Sequence, residues 1–600
     1  MSDPKYIVGI DLGTTNSIVA YTEIEKDDLL EVKPIKILKI PQLVDAGSLD
    51  EEYNLPSFLL IPGKNDVPEN SLELPWDEEN KIAIGHYARN RGVEIPHRLI
   101  SSTKSWLCHT GVNRNEPILP WEGPDDIQKL SPVESSGAIL NHIKNAWNYI
   151  MAGKDKSLNL ENQEVYLTVP ASFDAVAREL TVKASETAGL SNITLLEEPQ
   201  AAFYSWIEQL GEKFRKTIKI GDVILVCDIG GGTTDFSLIK VSEQEGELTL
   251  ERIAVGDHLL VGGDNMDIAL SHIISKKLAE NGTKLDVWQM RSLWHNCRLG
   301  KEKLYSDKKN KSYPITLLGK GSSVIGGSIK TKLTRDDLDQ NFNDGFFPIC
   351  SKDEKPIKLK KAGMKELGLS YISDPAITHH LADFISKHEQ SYEENIFPTA
   401  VFFNGGVMKA DPLRKRIMKT LSIWAQNENK SVRELSNKDF DFAVARGAAY
   451  YGQARHGQGI RIRGGLSKSY YIGIEASLPA VPGLSAPMKA LCVAPFGMEE
   501  GTETSLNQEF GLIVGEPVKF DFMGSAVRRK DKVGMILNEW QEDIEEITTI
   551  ETNLEGDEGD AVPVTLEVKV TEVGTLEIWC VSKKLDKKWK LEFNVREKED

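Results

Sequence analysis

Gly9-Ile10-Asp11-Leu12-Gly13-Thr14-Thr15-Asn16, close to the amino terminus, has a counterpart in mid-chain, Cys227-Asp228-Ile229-Gly230-Gly231-Gly232-Thr233-Thr234-Asp235. In each copy an apolar run, Tyr6 to Ile10 and Val223 to Cys227, reads as a buried strand that ends on a carboxylate, then glycine, then hydroxyls. Glycine permits a tight turn and a close approach of backbone to an anion, while threonine hydroxyls and backbone N–H groups donate to phosphate oxygens. Asp11 and Asp228 are suited to hold the cation that accompanies a polyphosphate, Mg²⁺ through its waters, because that ion seldom sheds its whole hydration shell. A single Asp-x-Gly-Thr is as readily an ordinary β-turn. Two copies, each followed by a further apolar stretch (Ile18 to Ala20, Phe236 to Ile239), imply duplicated lobes facing one nucleotide.

Six hundred residues are enough for about four domains or subdomains. A net charge of −18 without a long basic run argues against nucleic acid and against an anionic membrane surface, both of which need clustered positive charge. The six cysteines (108, 227, 297, 350, 492 and 580) are scattered, with no Cys-x-x-Cys pair, which predicts reduced thiols. The opening Met1-Ser2-Asp3-Pro4-Lys5 lacks the charged and apolar regions of a secretory signal, and no stretch reaches the ~18 apolar residues of a spanning helix, so a cytoplasmic location is expected. Asn192-Ile193-Thr194 and Asn281-Gly282-Thr283 match the glycan acceptor pattern only as chance occurrences.

Up to about residue 455, strand-like apolar runs alternate with helical patterns, the mark of an α/β architecture. Helices are predicted over Pro132 to Met151, Ala175 to Ala188, Asp267 to Glu280, Trp288 to Tyr305 and Asp374 to Glu389, the last with Asp374 as N-cap and Pro375 at the first helical position. Segments 40 to 80 and 341 to 365 read as surface insertions. Arg455 to Gly465 is glycine-rich and basic, a linker pattern. Beyond it the period becomes two: Val564, Leu566, Val568 and Val570, a turn near Gly574, then Leu576, Ile578 and Cys580, which predicts a half-buried antiparallel hairpin. Lys590 to Val595 predicts one more strand.

Further stretches fix a resemblance: Leu167-Thr168-Val169-Pro170-Ala171-Ser172-Phe173, Glu197-Glu198-Pro199-Gln200-Ala201-Ala202, Gly262-Gly263-Asp264-Asn265-Met266-Asp267, Phe403-Asn404-Gly405-Gly406-Val407 and Phe442-Ala443-Val444-Ala445-Arg446-Gly447-Ala448-Ala449. With the two phosphate turns, the chain resembles the heat-shock protein 70 chaperones, whose ATPase part belongs to the actin and sugar-kinase superfamily. The resemblance implies an actin-like ATPase domain of two duplicated lobes (1–455), a linker (456–468) and an antiparallel β-sandwich substrate-binding-like domain (469–597). It covers residues 5 to 455 closely and 469 to 597 loosely, through Tyr471-Ile472-Gly473-Ile474-Glu475 and the terminal hairpins.

By that resemblance, ATP or ADP with Mg²⁺ is the ligand. Asp11, Gly13, Thr14, Thr15 and Asn16 meet the terminal phosphates from one side, and Gly230, Gly231, Gly232 and Thr233 from the other. Lys104, a lysine whose local sequence reads as solvated surface, aligns with the family lysine that orients the attacking water. Glu198, Asp228 and Asp235 match the acids that position metal and nucleophile. Gly262, Gly263, Lys301, Gly405, Gly406 and Asp441 fall at nucleotide-contacting positions, and Pro170 and Arg178 at the family's switch proline and its arginine partner. With no arginine finger in view, turnover is expected at ~10⁻⁴ to 10⁻² s⁻¹. Partners implied are client peptide at the β domain, a J-domain co-chaperone and an exchange factor.

The chain also departs from the family. Its adenosine-clamp helix carries Arg298, Lys301, Glu302 and Tyr305 where the pattern is Glu-x-x-Lys-Arg-x-x-Ser, and Lys409 stands where arginine is usual, so purine stacking is expected to weaken. The apolar linker is replaced by Ile460-Arg461-Ile462-Arg463, which questions coupling between nucleotide and β domain, and a helical lid is expected to be missing. Two other functions stay open: a regulator that binds one dedicated protein, and a small-molecule kinase. Gly319-Lys320-Gly321-Ser322-Ser323 lacks the order of a Walker loop. His379, His380 and His388 with Asp383 lie on one predicted helix without His-Glu-x-x-His spacing, and Cys108-His109 has no partner ligands, so no structural metal is expected.

Overall fold

A computed structural model of the chain describes residues 3–24, 33–109, 111–121, 123–244, 247–319, 328–357, 373–391, 396–427, 429–456, 462–463, 466, 468–476, 487–498, 501–506, 508–515, 517–528, 530–553, 560–571, 575–582, 584–585 and 587–591. The first lobe is built on the hairpin of β1 (Tyr6–Leu12) and β2 (Asn16–Glu23), whose register sets Asp11 opposite Ile18. β3 (Lys36–Ile37) extends its antiparallel side, and β4 (Glu164–Val169) and β5 (Ile193–Glu197) extend its parallel side, in the order β5-β4-β1-β2-β3. Helices α1 (Thr103–Leu107), α2 (Pro132–Trp147), α3 (Ala175–Thr187) and α4 (Glu198–Leu210) follow the same half of the chain. Capping chemistry sets their starts: Ser131 and Glu134 form a capping box on α2, and the Asp174 carboxylate accepts the Ala177 N–H on α3.

The second lobe repeats this plan. β6 (Val223–Ile229), β7 (Thr234–Gln244) and β8 (Glu247–Val255) form the antiparallel side. After α5 (Gly263–Glu280), α6 (Val287–Ser306) and α7 (Ile377–Ser391), β9 (Ala400–Asn404) joins β6 in parallel; α8 (Asp411–Asn427) then leads to β10 (Arg433–Leu435). The order is β10-β9-β6-β7-β8, strand for strand that of the first lobe. Parallel strands buried on both faces need near-continuous apolar runs, which Val223 to Cys227 and Ala400 to Phe403 supply.

Between the two sheets lie α4 and α9 (Ala443–Arg455), in a core that takes Ile7 and Ala20 from one sheet and Ile224, Val226 and Phe402 from the other. Small residues let the helices cross closely: a Cβ on Gly447 would lie 1.6 Å from the Ala201 carbonyl oxygen. The linker is not a free tether at β11 (Ile462–Arg463), which pairs in parallel with Leu250 and Glu251 of β8 and so completes the second sheet.

The C-terminal strands form two antiparallel sheets. One comprises β12 (Ser469–Glu475), β13 (Met488–Ala494), β16 (Pro517–Ser525), β17 (Ile536–Leu537) and β18 (Glu545–Asn553); the other comprises β14 (Glu503–Ser505), β15 (Phe510–Val514), β19 (Asp560–Val570), β20 (Leu576–Ser582) and β21 (Lys587–Leu591). Leu491, Val493 and Phe522 of the first sheet share one core with Val564, Leu566, Ile578 and Cys580 of the second. Ala175, the first residue of α3, packs into that core.

The period-two reading is matched in register, with Leu566 opposite Cys580 and Val568 opposite Ile578. The expected turn near Gly574, residues 592–595 of the last strand, most of the linker and Lys320 to Ser323 lie outside the described residues. Three expectations need correction. Residues 40 to 61 are not a surface insertion: strands Ile40–Asp45 and Ser48–Glu52 pair, and Leu43 and Leu60 are buried in a satellite core. Residues 342–347 are likewise structured, because Phe342, Phe346 and Phe347 enter the second lobe's core. The helix expected from Asp374 begins at Ile377, since the Asp374 carboxylate accepts the Ala376 N–H instead of capping a helix that starts at Pro375. All six cysteines are free, and no helix among the described residues is long and apolar enough to cross a membrane.

One buried group gives this fold an acid dependence. His142 on α2 donates from Nε2 to the Pro41 carbonyl at 3.0 Å and packs edge-on to Trp76, and burial pushes its pKa down to about 4. The unfolded chain takes up this proton below pH ~6.5 while the fold refuses it, so the stabilisation is full above that value and is lost as pH falls toward 4, about 3 kcal/mol in all. In His142→Gln, whose amide can keep the bond to Pro41, the loss of stability between pH 6.5 and 5 in denaturant titrations is expected to be smaller by ~2 kcal/mol than in the parent.

Candidate functional site

The two hairpin turns meet at the floor of a cleft between the lobes. A cavity of about 760 Å³ there is lined by Asp11, Gly13, Thr14, Thr15 and Asn16 from one turn and by Asp228, Gly230, Gly231 and Thr233 from the other. The turns interlock so closely that a Cβ on Gly231 would lie 2.0 Å from Thr15 Oγ1. Thr15 Oγ1 is buried without a hydrogen-bond partner, as is Asn404 Oδ1. Unpaired buried hydroxyl and amide oxygens facing a gap of this size fit a ligand rich in donors and acceptors.

Four ionisable groups crowd the floor. Lys104 on α1 is only 4% exposed and forms an ion pair with Glu198, the first residue of α4. Its burial disfavours the charge, but Glu198 and Asp11 outweigh that and hold its pKa above the ordinary value. Burial and repulsion by Glu198, eased by Lys104, raise Asp11 to about 7; burial, Glu198, Asp235 and Asp11 raise Asp228 to about 8 although Asn404 donates to it at 2.7 Å. Glu198 is raised too, chiefly by burial. Three acidic groups crowded around one ammonium, with burial disfavouring their charge, are what a divalent cation relieves.

The upper cleft has aromatic and charged walls. Lys301 on α6 donates to the Gly263 carbonyl at 3.0 Å and pairs with Asp267 at 2.7 Å; Arg298 pairs with Asp264 at 3.3 Å. Glu302, Tyr305, Lys409 and Phe440 also face the cavity, and Lys409 forms an ion pair with Asp441. Gly405 turns the chain from β9 under the ligand space with φ of 87°, where a side chain would strike the Ile229 carbonyl and Asp228. Gly406 lines the same wall.

Of the residues anticipated from sequence, Gly232 and Gly262 back the turn without lining the cavity; the space where Cβ atoms would stand is taken by Thr14 and by the carbonyls of Gly230 and Gly231 respectively. Asp235 also lies behind it, accepting a hydrogen bond from Ser172 with His258 at 3.6 Å. Pro170 and Arg178 stand outside too. Arg178 pairs at 2.6 Å with Glu197, which also pairs with Arg252. The consecutive Glu197 and Glu198 thus face opposite ways, one to the arginines under α3 and one to Lys104 in the cleft. The expectation from local sequence that Lys104 is a solvated lysine is overturned by its burial. Sequence reading missed Asn404 and Arg89 as lining residues; Asn404 follows directly from the in-register pairing of β6 and β9, which sets it beside Asp228.

Comparison with known proteins agrees with this architecture. A family model described as Hsp70 protein matches residues 82–366. The chaperone protein DnaK of Buchnera aphidicola subsp. Schizaphis graminum is 25% identical over 439 residues, 68% of this chain and 60% of that protein. Chaperone protein HscA of Buchnera aphidicola subsp. Acyrthosiphon pisum (strain Tuc7) is 31% identical over 290 residues, 46% of this chain and 39% of its own length. A chaperone protein HscA homolog of Histophilus somni (strain 129Pt) is 30% identical over 285 residues, 46% and 38% respectively. The matches thus span less than two thirds of these relatives. With twin glycine- and threonine-bearing turns on duplicated sheets and these relatives, the chain is similar to the heat-shock protein 70 family.

Proposed function

We propose that the protein is an ATP-dependent chaperone in which slow hydrolysis at the cleft floor controls binding of peptide or protein by the C-terminal sheets. The observation that carries this is Asp11 and Asp228, 217 residues apart in sequence, lining one cavity with Lys104 and Glu198 between them. The orphaned Thr15 hydroxyl, the interlocked turns and the crowded acidic groups, whose charge only a cation would restore, suit a nucleoside triphosphate with Mg²⁺, held by Asp11 and Asp228 through water. The metal would neutralise charge on the transferring phosphoryl group. The chain's own residues do the rest: Thr14, Thr15 and Thr233 and the turn N–H groups bind phosphate oxygens, Lys104 orients the attacking water, and Glu198 fixes the Lys104 ammonium. No covalent step on the protein is needed.

In this reading residues 1–455 are the ATPase domain, 456–468 the linker and 469–597 a β-sandwich that holds extended peptide through strand-like main-chain contacts. Coupling between them draws support from β11 in the second sheet and from the Glu197–Glu198 pair, which joins the cleft to Arg178 and the Ala175 contact. A J-domain protein and an exchange factor are the partners this role calls for, in a cytoplasmic setting. A regulator serving one dedicated protein would use the same nucleotide site.

In single-turnover assays, Lys104→Ala is expected to slow hydrolysis by about 3 kcal/mol, some hundredfold, with nucleotide binding retained; an unchanged rate would refute the role given to Lys104. Arg178→Gln is expected to leave basal hydrolysis within a few-fold of the parent while reducing the ATP-stimulated release of a fluorescent peptide. Release that responds to ATP as in the parent would remove Arg178 from the coupling route.

A further inference from the structure

In the second lobe, away from the cleft floor, Cys350 Sγ, a Glu354 carboxylate oxygen and a His379 ring nitrogen lie within 4.8 Å of one another, the one trio of histidine, cysteine and acidic ligands this compact among the described residues. His379 stands in the first turn of α7, and its Nδ1 is 2.8 Å from Asp374 Oδ2. Asp374 is buried, and its carboxylate also accepts the Ile357 N–H at 2.9 Å and the Ala376 N–H at 3.0 Å. With Nδ1 hydrogen-bonded to Asp374, Nε2 is the ring nitrogen turned to Glu354, 3.9 Å from its Oε1. A carboxylate hydrogen-bonded to a histidine in this way is the outer-shell arrangement of protein metal sites. Cys350 is buried with its sulfur 3.6 Å from the Thr378 carbonyl, whereas Glu354 opens the trio to solvent.

We propose that Cys350, Glu354 and His379 form a transition-metal site, with Asp374 orienting the histidine and a fourth position open to water, that takes Zn²⁺ or a divalent ion of similar softness. A thiolate, an imidazole and one carboxylate favour such an ion over Mg²⁺, which requires oxygen ligands. Tetrahedral bonds of about 2.0–2.3 Å put donor atoms roughly 3.3–3.8 Å apart. The trio therefore has to close by at most about 1 Å on binding an ion. The ion would tie the chain after Phe347 to the start of α7, whose Phe384 stacks on Phe236 of β7. This site is independent of the proposed nucleotide chemistry.

The test is a Co²⁺ titration of the full chain, stripped with chelator and kept in excess Mg²⁺ so that oxygen-only sites are filled. One equivalent is expected to bind with a thiolate-to-cobalt charge-transfer band in the near ultraviolet, and Zn²⁺ should displace it. Cys350→Ser should abolish the band, Cys108→Ser should leave it intact, and Glu354→Gln should weaken Zn²⁺ binding by about tenfold or more. Glu354 is half exposed, so that variant serves if Cys350→Ser fails to fold. A band that persists in Cys350→Ser, or Zn²⁺ affinity equal in the parent and Glu354→Gln, would reduce the trio to a hydrogen-bonded ion cluster and overturn the proposal.

Discussion

The structure depends on holding three acidic groups together beside one ammonium, where burial disfavours their charge. Asp11, Asp228 and Glu198 converge on a single ammonium, Lys104, where burial alone would expel each of them. A fold carries that cost only where rigid elements impose it. Here the elements are two sheets of identical order, each delivering its carboxylate at the end of a buried strand, clamped together by α4 and α9. A mobile scaffold would let the carboxylates drift apart and the electrostatic strain would vanish.

The same geometry ties the cleft to the rest of the molecule. Because β5 runs directly into α4, neighbouring glutamates point to opposite sides, and a change in the charge balance around Glu198 acts one residue away from the double arginine pair on Glu197. From there the path is short: Arg178 lies on α3, and the first residue of α3 packs in the core of the C-terminal sheets. Two discrete arrangements of those contacts are what a nucleotide-driven change requires.

Much of this was legible in the sequence where local chemistry determines local shape. The paired turns are readable because the same run of aspartate, glycine and threonine occurs twice, each time after an apolar strand, and the β19–β20 register because period-two alternation fixes which face is buried. The burial of Lys104 was not readable locally: α1 is five residues long, and its partner lies 94 residues away. Likewise the hairpin after Ile40 is rich in charged residues on its exposed strand, and only its contacts with later elements bury Leu43 and Leu60. Cys350 and His379 stand 29 residues apart, too far for any short metal pattern, and come together only through the packing of α7.

The central claim is that one Mg²⁺-bound triphosphate is held by both turns at once, and calorimetric titration of Mg·ATP into the parent, Asp11→Asn, Asp228→Asn and the double variant tests it directly. The account predicts that either substitution alone removes most of the Mg²⁺-dependent affinity and that the second adds little, because both act on one ion. Losses that simply add, or a single variant that binds Mg·ATP as the parent does, would contradict it.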